Sequence, residues 1–72
     1  MATAKADVAR VTEISARSPK SFDDAIKVGV QRATKTLRNV TGAWVKEQRL
    51  EISGGKISEY QVNLLVTFVL EE

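Results

Sequence analysis

A chain of 72 residues makes one domain that buries only about 60% of the surface its unfolded form exposes, which sets it near the lower limit of independent stability. It contains no Cys and no His, so disulfides and most metal staples are excluded and self-association is the stabilising route that remains. The same absences remove the ready neutral-pH base and thiol nucleophile of most enzymes, while eleven basic and nine acidic residues, interspersed along the chain, create no one-signed field that would point to nucleic acid.

No apolar run approaches the ~20 residues that span a bilayer, and Met1 to Ala6 lacks the apolar core of a signal peptide. A cytoplasmic protein is expected, with no membrane partner. Met1 to Ala6, small and polar, is expected to be loose. The first strand is predicted over Val8 to Ser15, with Ala9, Val11 and Glu13 on one face and Arg10, Thr12 and Ile14 on the other. Mixing on both faces suits an edge strand. Ala16 to Lys20 is read as a connector in which Pro19 fixes the backbone, and Ser18 or Ser21 caps the helix that follows. With Ser21 as the cap, Asp24 falls at the third helical position, and Asp23 and Asp24 both lie where the helix dipole favours negative charge.

The helix is expected to run to about Asn39. Phe22, Ile26, Gly29, Val30, Ala33 and Leu37 recur at spacings of three and four and form its apolar stripe. Gly29 costs the helix about 1 kcal/mol relative to Ala, and a close approach of helix to sheet would account for it. A second strand from Val40 to Ile52 ends at Ser53-Gly54-Gly55-Lys56, where two glycines suit a type I′ hairpin turn with positive φ at both central positions. Counting back from that turn sets Val45 opposite Leu64 and Ala43 opposite Val66 as core pairs. It sets Trp44 opposite Leu65, Lys46 opposite Asn63 and Gln48 opposite Gln61 on the other face, provided that no bulge intervenes.

The last stretch, Tyr60 to Leu70, carries the clearest signal. Tyr60, Val62, Leu64, Val66, Phe68 and Leu70 share one face of a central strand, and Gln61, Asn63, Leu65, Thr67 and Val69 share the other. The fold class is therefore α+β, in the order β-α-β-β: a three-stranded antiparallel sheet with one helix packed across one face. One helix cannot cover both faces. Trp44, Leu65 and Val69 on the helix-free side point to a subunit or a ligand as its cover.

The β-α-β-β order, Ser18-Pro19 before the helix, Val30-Gln31-Arg32-Ala33 within it, Val45-Lys46-Glu47 in the second strand and Glu59-Tyr60-Gln61-Val62 in the third resemble the dodecins. The resemblance covers roughly Arg10 to Leu70. It implies a hollow homododecamer of tetrahedral symmetry whose helices lie on one side of a strongly curved antiparallel sheet. It further implies a cytoplasmic flavin storage protein that is not an enzyme, with riboflavin or FMN stacked in pairs between tryptophans of neighbouring subunits. Gln61 matches the glutamine that contacts the isoalloxazine ring, and Arg49 matches an arginine that serves the phosphate of a flavin nucleotide. The stacking tryptophan of the family aligns with Gly42, and Trp44 stands two residues on. Two residues preserve the face but move a ring by about 6.6 Å. The alternative implied by the same resemblance is a dodecin-like shell without flavin that holds another ligand or a metal ion.

Trp44, Gln61, Gln48 and Arg49 are thus the candidate cofactor-binding residues, with no catalytic residue and no metal site assigned. Trp44 could stack on a flat ring or pack at a subunit contact. Gln61 could bind the polar edge of a pyrimidine-like ring with both donor and acceptor, or form an amide pair with Gln48. Arg49 could bind a phosphate or pair with Glu47 or Glu51 at the surface. Glu47, Glu51 and Glu59 match no calcium loop spacing.

Overall fold

A computed structural model describes residues 6–70, so the expectation for Met1 to Ala6 lies, except for Ala6, outside the described residues. Four elements follow one another: β1 (Ala9–Ser18), α1 (Phe22–Thr36), β2 (Val40–Ser53) and β3 (Lys56–Val69). The strands form one antiparallel sheet in the order β1-β3-β2. The last stretch of the chain is the central strand, as its alternation predicts, and β1 is an edge. No helix among the described residues is long and apolar enough to cross a membrane.

The first strand runs three residues further than its sequence suggests. Ala16 and Ser18 pair with Val62 and Tyr60 of β3 and are buried, so tertiary burial extends a strand whose own residues favour it weakly. Pro19 then ends it. Ser21 is the N-cap, its hydroxyl accepting from the Asp24 amide at 3.0 Å. Ser18 acts differently. Its hydroxyl donates to the Asp24 carboxylate at 2.6 Å and accepts from the Lys20 amide at 2.9 Å, so the connector is pinned to the first helical turn. The helix stops three residues earlier than expected. Leu37 leaves helical geometry with φ −101° and ψ 139° to pack against the core, and Asn39 takes φ 60° to turn the chain into β2.

The core between helix and sheet is formed by Ala25 and Ala33 of α1 with Ala16, Val62, Leu64 and Val66 of the strands. A Cβ on Gly29 would stand 2.8 Å from Leu64 Cδ1 and 3.0 Å from Ala16 Cβ, so the glycine in the stripe is the point of closest helix–sheet approach. Phe22 meets Tyr60 edge to face at 5.1 Å, closing the core at the start of the helix.

The hairpin turn has the expected form, with φ 59° at Gly54 and 78° at Gly55. Its register departs from the simple count. Ser58 of β3 and Lys46 of β2 are each passed over by the pairing, and these two bulges cancel, while a third at Thr41 of β2 sets Val40 opposite Phe68. Val45 still faces Leu64 and Trp44 still faces Leu65, but between the two bulges that cancel each β2 residue meets a partner one place away from the expected one. Arg49 therefore lies opposite Gln61, Gln48 opposite Val62, and Glu47 opposite Asn63. The Ser58 hydroxyl donates to the Glu51 carbonyl at 3.2 Å and fastens its bulge.

A second departure concerns the core pairs of β2. The helix packs on β1 and β3 and scarcely reaches β2, so Ala43 and Val45 form the expected pairs yet remain exposed. The hairpin thus projects from an elongated molecule of 51 × 21 × 19 Å.

Candidate functional site

Strand alternation in the observed register places Gly42, Trp44, Glu47, Arg49 and Glu51 of β2 on the helix-free face, with Gln61, Asn63, Leu65 and Thr67 of β3 and Val11, Glu13, Ser15 and Arg17 of β1. Trp44 is 52% exposed there, an uncommon setting for so large an apolar side chain. Beside it a groove of about 420 Å³ is lined by Glu47, Gln48, Arg49, Gln61 and Asn63. Three of the four candidate residues therefore border one groove, and Trp44 stands next to it on the same strand.

The roles within that group differ from those expected. The amide pair between Gln48 and Gln61 does not form, because the Ser58 bulge, met first on counting back from the turn, sets Gln48 across from Val62 and so on the opposite face. Gln61 instead accepts from Arg17 Nε at 3.0 Å through Oε1 and donates from Nε2 to Asn63 Oδ1 at 3.1 Å. Asn63 Oδ1 also accepts from Ser15 Oγ at 3.0 Å, and its Nδ2 donates to Glu13 Oε2 at 3.2 Å. Glu13 Oε1 is paired with Lys46 Nζ at 3.2 Å. Arg49 forms the expected surface ion pair, Nε to Glu51 Oε2 at 2.9 Å, which contributes under about 1 kcal/mol at such exposure.

An unbroken polar chain thus crosses the sheet from Arg17 through Gln61, Asn63 and Glu13 to Lys46. Arg17, the place of Glu47 in the groove and the link from Asn63 to Glu13 escape the sequence reading, because Arg17 falls in the stretch read as a connector and a bulge leaves no mark on residue type. Continuing the alternation of the first strand past Ser15 would have placed Arg17 on this face. Among the described residues no three acidic side chains assemble into a group able to hold a metal ion.

The dodecin family model matches residues 8–71. The dodecin of Thermus thermophilus is 40% identical over 65 residues, which is 90% of this chain and 94% of that protein. The chain belongs to the dodecin family. Its fold superposes on the dodecin of Streptomyces coelicolor with a TM-score of 0.87 at 38% identity, covering 92% of this chain and 94% of that one. A further relative of the same fold is a calcium dodecin of Mycobacterium tuberculosis, described as calcium chelating, with a TM-score of 0.78 at 34% identity over 89% of this chain and 91% of that one. Gly42, which stands where the resemblance expects a stacking ring, is open: a Cβ there would meet nothing within 4 Å.

Proposed function

We propose that this dodecin binds a flavin, riboflavin or FMN, on the helix-free face of its sheet, at seams between copies in a hollow homododecamer, and that it stores the flavin without converting it. The supporting observation is Trp44, more than half exposed on the same face as Gln61 and Arg49. An indole left in water invites a flat aromatic ring or another subunit, and at a seam it can meet both. The side chains present fit the ligand. Trp44 would stack on the ring system. Gln61, with both amide groups already in one hydrogen bond, retains one N–H and one lone pair for the polar edge of the ring. Arg49 would give up Glu51 for the phosphate of a flavin nucleotide, a stronger bidentate partner. A bound flavin brings a light-sensitive ring whose emission indole stacking quenches. Gln48 borders the groove from β2, but with its side chain on the opposite face it is given no contact to the ligand in this reading.

Gly42 favours a second reading, in which the shell persists without flavin and holds another ligand or a metal ion. One titration separates the two. Riboflavin and FMN are added to the protein, to its Trp44→Ala variant and to a Gly42→Trp variant, and flavin emission is followed. The flavin reading predicts quenching at micromolar protein that weakens by a few-fold to tenfold, about 0.5–1.5 kcal/mol of stacking, in Trp44→Ala. Undiminished emission with the unaltered protein, alongside quenching by Gly42→Trp, would contradict it and favour the flavin-free shell.

A further inference from the structure

We propose that Arg17 is a positioning residue that sets which way round the Gln61 carboxamide faces, and with it the order of acceptor and donor offered to a ligand on the helix-free face; this rests on the ligand reading above. The two ends of the polar chain impose this direction. Arg17 can only donate, and the Glu13 carboxylate, paired with Lys46, can only accept. Between them stand two amides, each of which could in isolation face either way. Arg17 Nε donates to Gln61 Oε1, so turning Gln61 would set its NH2 group against another donor. It would also set the Gln61 carbonyl against Asn63 Oδ1, the acceptor it now faces. Turning both amides together repairs the middle of the chain and fails at both ends, since Asn63 would then present its carbonyl to the Glu13 carboxylate. The charges at the two ends therefore select one direction for the whole chain.

The consequence is a fixed pattern. Gln61 holds its acceptor toward β1, at Arg17, and its donor along β3, toward Asn63, with one lone pair and one N–H unspent. The ligand edge that complements a neighbouring acceptor and donor is a ring N–H beside a ring carbonyl, as in a cyclic imide. Arg17 need not touch the ligand for this. Ser15, Arg17 and Glu13 are exposed in the single chain, and a cover over this face would strengthen each link by removing competing water.

The test uses the assembled, isotopically labelled protein and the variants Arg17→Met, which keeps a long apolar stem without the donor, and Arg17→Lys, which restores a cationic donor. Without any ligand, Arg17→Met is expected to shift the side-chain amide signals of Gln61 and Asn63 and to speed hydrogen exchange at Gln61 Nε2 toward that of an exposed glutamine such as Gln31. Arg17→Lys is expected to return both toward the original. Unchanged Gln61 signals in Arg17→Met, or a failure of Lys to restore them, would overturn the proposal. With ligand, the unaltered protein should prefer riboflavin over its N3-methyl derivative by about tenfold, the worth of one hydrogen bond between well-placed partners. Arg17→Met should lose that preference and Arg17→Lys keep it. Equal discrimination in all three proteins would sink the positioning role and leave the flavin reading standing. Absence of quenching in every protein would sink the flavin reading instead, and the amide signals would then decide the role of Arg17 alone.

Discussion

Gly29 and Gly42 both lack a side chain, for opposite reasons. At Gly29 there is no room: an added Cβ would press on Leu64 Cδ1 at 2.8 Å and Ala16 Cβ at 3.0 Å, and Leu64, 1% exposed, has nowhere to retreat. At Gly42 there is only open space. Gly29→Ala is therefore expected to lose stability, because overpacking of about 1–3 kcal/mol outweighs the gain of about 1 kcal/mol in helix propensity. Urea unfolding measures it, and a more stable variant would show that the helix stands further from the sheet. Leu64→Ala should cost about 2–5 kcal/mol as a large-to-small change in the core. Because the two sites touch, the double variant Gly29→Ala, Leu64→Ala should cost less than the two single losses added together. A thermal transition unmoved by Leu64→Ala would show that the buried face of β3 has been misassigned.

At the scale of elements, the hairpin decides what the site contains. Its turn and the pairs around Trp44 were legible, since two glycines fix the turn and period-two alternation fixes β3. The stretch between Lys46 and Ser58 was not. Each bulge adds one unpaired residue without altering the residue types that alternate, and because these two cancel, the pairs from Gly42 to Val45 and those at the turn agree with a count that is wrong between them. That is how Gln48 was expected on a face where Arg49 actually sits. The end of the helix was missed for a related reason: Leu37 continues the apolar stripe but serves the core from outside the helix. The reach of the helix was also hidden, because apolar patterning identifies a buried face without stating how many strands one helix covers. Since α1 scarcely reaches β2, a second apolar surface stands open on the helix side of the hairpin, with Ile52 at 66% and Ile57 at 50% exposure, paired with one another. In the proposed assembly this surface is also covered. Ile52→Glu should leave circular dichroism of the subunit close to that of the original while lowering the mass of the particle seen by size-exclusion chromatography; an unaltered particle would mean that the hairpin end faces water.

The whole molecule is a small sheet with one helical cover and apolar side chains on both uncovered surfaces. Trp44 lies on the helix-free face, and Val45, Leu50 and Ile52 lie on the overhanging part of the helix side. A chain of 72 residues without Cys gains little by leaving these in water, and burial of such patches contributes about 25 cal/mol for each Å² removed from solvent. Closed point-group assembly is the general way for identical copies to bury them. The flavin site proposed for the seams, the positioning role of Arg17 and the effect of Ile52→Glu all depend on that closure. Light scattering of the purified chain at low micromolar concentration tests it most directly. The account predicts a particle of twelve times the single-chain mass that persists on dilution, and a stable lone subunit would contradict it.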